Sequence, residues 1–348
     1  MAETTTALNY QIGAISYPGG EFRKLTNDVT SHPSLSLSAD GKVLSTLLLQ
    51  SHREISLLPA SGTGEAMALP GLPPRSAISA FAWSNDGALL VADGAALRRY
   101  PLNGGEVSTL ISDNRAYLSD LMICGPRYVA FNWFSRQRDN SWKIWRSDQD
   151  GSNPKMIQPL SGVGVVWGCS SDEKYIYYTD FFREPGIRRI SVDGASSEMV
   201  PGTEFKGESH LGIAVSPDGG TLTALLQGAA VSERRVAILD LRTPSPSVRS
   251  LSLDPNLNLS FNLPGPPSAI SFEFTPDGKS IAFAVQDKGI DNIWVQPLDG
   301  SKRRQITHFK SDVIYDFRWS KDGSHLGVNR GNDLGDIVSL RDKALAGE

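Results

Sequence analysis

The chain has little cysteine, little histidine and no long apolar run, and each shortage closes off a class of function. Two cysteines and five histidines in 348 residues include no Cys-x-x-Cys pair and no His-Glu-x-x-His, the spacings that common zinc sites and metalloproteases need. No Gly-x-Ser-x-Gly occurs, so the nucleophile elbow of the α/β hydrolases is missing. The absence of eighteen consecutive apolar residues argues against a membrane-spanning helix. Lys and Arg, 34 together, are outnumbered by 38 Asp and Glu and form no stripe, so the electrostatic footprint of a nucleic-acid binder is lacking. Residues 1–6 carry neither the basic nor the apolar region of a secretory leader, so the chain as given reads as cytoplasmic, or as a mature or excised fragment.

What the chain does have is a turn signature that returns at nearly even intervals. Ser/Thr-x-Asp-Gly stands at 38–41, 84–87, 216–219, 275–278 and 320–323, with a degenerate Ser-Ser-Asp-Glu at 170–173 and a weaker copy at 124–126. The steps from Ser38 through Ser84, Cys124, Ser170, Ser216 and Thr275 to Ser320 are 46, 40, 46, 46, 59 and 45 residues. That is the period of a propeller blade of four short strands. A second glycine turn runs in phase with the first, at 18–20, 103–105, 150–151, 193–194 and 299–300, with looser forms at 61–62 and 243–244. The 33 glycines and 21 prolines suit this many turns better than long helices.

Residues 269–307 give the cleanest copy. Ile270, Phe272 and Phe274 alternate with Ser271 and Glu273, as a strand with two unlike faces must. Asp277-Gly278 supplies a tight hairpin, and 281–285, 292–296 and 303–307 follow as second, third and fourth strands. With the aromatic before Thr-Pro-Asp-Gly-Lys, Leu298-Asp299-Gly300 and the closing Ile306-Thr307, this blade resembles the TolB-type, WD40-like propeller repeat. Residues 317–323 match its first half, and the likeness runs over about 12–340. It departs at 124–126 and in the long connection 243–267, and the Gly-His and Trp-Asp dipeptides of classical WD repeats are absent.

The expected fold is therefore all-β: a seven-bladed β-propeller of four-stranded antiparallel blades over 12–341, between a flexible N-terminus (1–11) and a C-terminal tail (342–348). Residues 336–340 read as the third strand of the last blade and Phe22 to Thr26 as its fourth, so the N-terminal strand is expected to close the ring. Residues 11–17 also read as a third strand and compete for that position. The resemblance implies a bacterial binding or scaffolding module, monomeric, that presents a rigid ring and central funnel to a protein, peptide or small ligand, without nucleic acid, membrane or cofactor. Two rivals stand beside it: a propeller hydrolase or lyase with a divalent cation at the channel mouth, and the C-terminal sensor part of a larger signalling chain.

Candidate residues come from aligning the innermost strands on the turn Ser or Thr. Positions two and four before it are small in most blades, as crowding near an axis demands, for example Ala80, Ala82, Gly212 and Ala214. Asp120, Glu273, Asp316 and Arg318 are the departures. Charged groups near a narrow axis need each other, water or a ligand, so these four, with His210 at the loop end of the channel, are the ligand-binding candidates. An internal ion pair of Arg318 with Glu273 or Asp316 is the structural reading of the same residues. Trp133, Phe134, Arg136, Arg138 and Trp142 are candidates for protein contact, with interblade packing of the aromatics as the alternative. The six residues 148–153 have calcium-loop flavour but lack the bidentate Glu at position twelve. Cys124 and Cys169 precede equivalent turns and read as small core residues, a disulfide between them being left open.

Overall fold

In the computed structural model, the recurring turn is closed by the same three bonds in five of its copies. Thr275 Oγ1 donates to Asp277 Oδ1 at 2.6 Å, the Lys279 amide donates to the same oxygen at 3.0 Å, and the Ser280 amide donates to Thr275 Oγ1 at 3.2 Å. The set returns at Ser38, Ser170, Ser216 and Ser320. The last turn residue needs a positive φ, 67° at Gly278, which glycine adopts without strain. In the degenerate copy Glu173 takes that place at φ 60°, so the turn forms without its glycine. Glu173→Gly is expected to raise stability by about 0.5–1 kcal/mol, the left-handed strain less the extra freedom of the unfolded chain. An unchanged urea midpoint would show that Glu173 is not strained.

The described residues are 11–27, 32, 34–73, 76, 78–135, 141–170, 172–181, 186–243, 246–261 and 270–341. Two compact units divide the chain, Arg53–Gly331 and Met1–His52 with Asn332–Glu348. The first five strands are β1 (Gly13–Ile15), β2 (Phe22–Lys24), β3 (Ser36–Leu37), β4 (Val43–Pro59) and β5 (Met67–Ala68). Five four-stranded antiparallel sheets follow in sequence. The first blade holds β6 (Ala80–Trp83), β7 (Leu89–Ala92), β8 (Ala96–Tyr100) and β9 (Ser108–Ser112). The second holds β10 (Ala116–Cys124), β11 (Tyr128–Ser135), β12 (Ser141–Asp148) and β13 (Lys155–Pro159). In the third are β14 (Gly164–Cys169), β15 (Tyr175–Asp180), β16 (Arg188–Ser191) and β17 (Ser197–Met199), and in the fourth β18 (Ser209–Val215), β19 (Thr221–Gln227), β20 (Arg235–Asp240) and β21 (Val248–Ser252). The fifth holds β22 (Phe272–Phe274), β23 (Ser280–Asp287), β24 (Ile290–Pro297) and β25 (Arg304–Gln305).

Closure differs from expectation. Residues 336–340 do not form a separate third strand, because β27 (His325–Arg341) runs unbroken after β26 (Val313–Trp319). The strand beside β27 is β4, not Phe22–Thr26, and β5 pairs with β4, so the sixth blade is β26, β27, β4 and β5. β2 pairs instead with β1 in a two-stranded ribbon, Ile15 opposite Phe22 and Gly13 opposite Lys24. The competition between 11–17 and 336–340 is thereby resolved: β1 and β2 satisfy each other. Among the described residues the larger unit thus holds six blades. The turn at Ser38, counted as a blade of its own, lies in the smaller unit, where β3 pairs with β4.

Six apolar cores, each shared by consecutive blades, carry the ring round to its start. Phe131 lies in the core between blades one and two, Tyr178 between two and three, Leu222 between three and four, Phe283 between four and five, and Phe317 between five and six. Phe81 packs with Ile55 and Leu57 between six and one. Each of these large side chains is fully buried, worth about 1.5–3 kcal/mol apiece. At Gly212 a Cβ would meet Phe272 Cβ at 2.7 Å, so blades four and five approach too closely there for any side chain. Cys124 and Cys169, at the ends of β10 and β14, are both packed in the core of blades two and three and joined as a disulfide with Cα atoms 5.2 Å apart.

Candidate functional site

The innermost strands do not run straight past the axis. Ladder register shifts between Ser119 and Met122 in β10, Val166 and Gly168 in β14, His210 and Gly212 in β18, and Ile314 and Asp316 in β26. Such bulges re-aim side chains. Asp120 sits within the first of them at φ 53°, a left-handed backbone that costs a non-glycine residue about 1 kcal/mol or more. Asn132 Nδ2 donates to its Oδ2 at 2.7 Å and Ser119 Oγ to the same oxygen at 3.1 Å.

Asp316 is the most enclosed of the three acids in the cluster, 5% exposed. Its Oδ1 accepts from Ser271 Oγ at 2.8 Å and from the Phe317 amide at 2.9 Å. Its Oδ2 lies 3.4 Å from Arg318 Nε, and Arg318 also pairs with Glu273. The expected internal ion pair is therefore formed, and the four departures from small residues come together. Burial pushes Asp120 up to about 6, against the lowering effects of Ser119, Asn132 and the charge of Arg318. Burial pushes Asp316 up to about 7, opposed by Ser271 and the Phe317 amide and assisted by the charge of Asp120. Arg318 is brought down to about 10, again by burial, with Asp120 acting the other way.

These shifts set a pH dependence. Both carboxyls keep protons in the folded protein at pH values where the unfolded chain, near 4, has lost them. Their contribution to stability is complete below about pH 4 and is lost as pH rises through 6 to 7. The turn aspartates are held below the usual range by their Ser or Thr hydroxyls, as at Asp218 and Asp277, and act only at lower pH. Between pH 5 and 8 we expect Tm to fall on the order of 5 °C, and Asp316→Asn to remove about half of that slope. A flat profile in both proteins would show that the acids are solvated.

His210 is placed apart. It is 8% exposed, stacks edge-on against Phe205 at 5.7 Å, and burial lowers its pKa to about 4. Among the described residues no hydrogen bond or ion pair joins it to the four charged groups, and its Nε2 is buried without a partner. Of the aromatic stretch, Trp133 packs on the core of blades one and two beside Trp145 at 5.2 Å, and Trp142 packs on the next core beside Phe134 at 4.9 Å and Tyr117 at 6.3 Å. Arg136 and Arg138 lie outside the described residues. In the loop 148–153, Asp148 is engaged by Arg127 at 3.1 Å and by Asn153 at 2.9 Å. No group of three or more His, Cys, Asp or Glu converges on a metal position among the described residues.

Two residues at the site escaped the sequence alignment. Asn132 on β11 is wholly buried and Asn329 on β27 is 1% exposed, and each has a side-chain Oδ1 without a partner among the described residues. Asn329 stands opposite Asp316 in the ladder, which puts the two side chains on one face. The available signal was an amide inside an apolar second strand, Phe131-Asn132-Trp133 and Val328-Asn329.

No family model and no curated protein matches the chain. Among solved structures, it is similar to a putative TolB from Agrobacterium tumefaciens at 17% identity and TM-score 0.61, over 81% of this chain and 99% of that one. TolB from Acinetobacter baumannii is similar at 16% identity and TM-score 0.51, over 81% of this chain and 65% of that one. An oligogalacturonate lyase in complex with manganese is similar at 12% identity and TM-score 0.54, over 97% of this chain and all of that one. At such identities the likeness is one of architecture, and on that ground, together with its blade sheets and interblade cores, the chain is a β-propeller of TolB-like fold.

Proposed function

We propose that this protein is a non-catalytic binding module that offers the mouth of its ring to a protein or peptide and works as a monomer. The observation that carries the reading is the convergence of Asp120, Glu273, Asp316 and Arg318 where other blades place small, uncharged residues. A rigid scaffold with grouped charges recognises a partner without a chemical step. A propeller solved as part of a nidogen–laminin complex is similar in fold, at 15% identity, which supports protein partners for this architecture.

The test is retention of partners from a lysate on immobilised wild type, Glu273→Gln and Asp316→Asn, with retained chains identified by mass spectrometry. A chain held by wild type and lost from both folded variants supports the reading. An enzyme is the second reading, favoured by the carboxyl of Asp316 poised near neutrality, where a general acid works best. Turnover of lactones or oligogalacturonate that both substitutions abolish would replace the first reading with the second.

A further inference from the structure

The charged cluster is unbalanced. Asp120, Glu273 and Asp316 bring three carboxyls and Arg318 one guanidinium, and no other charged side chain is joined to them by hydrogen bond or ion pair among the described residues. Arg53 and Tyr117 lie at the flank, Tyr117 feeling the charges of both Arg53 and Asp120. Acceptors also outnumber donors. Asn132 Nδ2 gives its hydrogens to Asp120 Oδ2 and to the Gly164 carbonyl at 2.6 Å. Both partners are pure acceptors when Asp120 is ionised, so the amide orientation is set and its carbonyl Oδ1 is left buried and unpartnered among the described residues. Asn329 Oδ1, on the face of Asp316, is unpartnered as well.

A group that fits must bring positive charge and several donors but needs no acceptor. A primary ammonium has three donors and one charge. A divalent cation fits less well, because Arg318 lies in the same cluster and the acids do not converge as a metal-ligand set. We infer that the axial cluster is a binding site for a protonated amine, a lysine side chain or amino terminus, held by Asp120 and Asp316 with the Asn132 and Asn329 carbonyls as neutral acceptors. This rests on the binding-module reading and names the chemistry its partner presents. Protons and the ammonium compete for the same carboxyls, so occupancy grows as the acids ionise.

The full chain is titrated with Nα-acetyl-lysine methylamide and, in parallel, with the uncharged Nα-acetyl-norleucine methylamide, by calorimetry and NMR. Saturable binding of the lysine probe alone is expected, stronger by about tenfold at pH 8 than at pH 5.5, and weakened at least about tenfold in Asp120→Asn, whose fold is checked by circular dichroism. Should that variant not fold, Asp316→Asn serves the same arm. Equal binding of both probes, or of neither, overturns the inference, as does manganese or calcium that binds stoichiometrically and displaces the lysine probe. If the amine fails while a partner is still retained on the wild-type column, the inference falls and the binding-module reading stands. An amine that binds where no partner is retained leaves the site and removes that reading.

Discussion

Arg318→Met is expected to lower stability by about 3 kcal/mol at pH 7.5, the low end of what removing one member of a buried ion pair costs. The low end applies because the side chains of Arg318 and Glu273 are 19% and 23% exposed, so water screens part of the charge left behind. Methionine keeps the apolar stem, which isolates the guanidinium. Without it, Glu273, Asp316 and Asp120 face one another uncompensated, and the cost should shrink towards pH 5, where Asp120 and Asp316 are protonated in the folded state. The double substitution Arg318→Met, Glu273→Gln should recover about half the loss by removing one orphaned charge. Urea unfolding at pH 5 and 7.5 measures all four quantities. A single-mutant effect below about 0.5 kcal/mol at pH 7.5 would mean that the pair is screened like a surface pair, and that the cluster does not brace the ring.

Removal of the disulfide should have an effect of similar size by a different route. Cys124 and Cys169 are 45 residues apart, and closing a loop of that length restricts the unfolded chain by about 4 kcal/mol in the chain-entropy account. The bond joins the ends of the innermost strands of blades two and three, next to the turns at Gly125 and Ser170, so its loss frees a blade boundary as well as the unfolded chain. Guanidinium unfolding of wild type with and without dithiothreitol, and of the Cys124→Ala, Cys169→Ala double variant, should show matched losses. A wild type insensitive to reductant, with thiols that titrate freely, would remove the bridge from the structure. Such a bond persists in oxidising compartments.

The channel charges were readable because their anomaly is local. A strand facing a narrow axis has small residues at fixed positions, and Asp120, Glu273, Asp316 and Arg318 break that rule by inspection. Their pairing was readable too, since few other charges are within reach. Asn132 and Asn329 were not, because an amide on a second strand gains meaning only once the bulges at Asp120 and Tyr315 turn the first strands towards it. The disulfide lay between these cases: the cysteines precede equivalent turns, but only the approach of β10 and β14 makes them partners.

By itself the sequence determined the turns, the blade period and the alternation of core and axis, because these depend on backbone preferences and side-chain spacing within a few residues. The Asp–hydroxyl turn forms even at 170–173, where the glycine is missing, since its bonds involve neighbours in the chain. Which strand closes the ring was decided only by tertiary structure. Phe22–Thr26 and residues 67–69 are both short segments able to serve as a fourth strand, and an edge accepts any backbone that reaches it. What discriminates them is packing at a distance: Ile55 and Leu57 of β4 fill the core against Phe81 and Trp83, and β5 follows β4 into the sixth blade. The same burial, applied to charge, sets the raised carboxyl pKa values on which the binding chemistry of the axis depends.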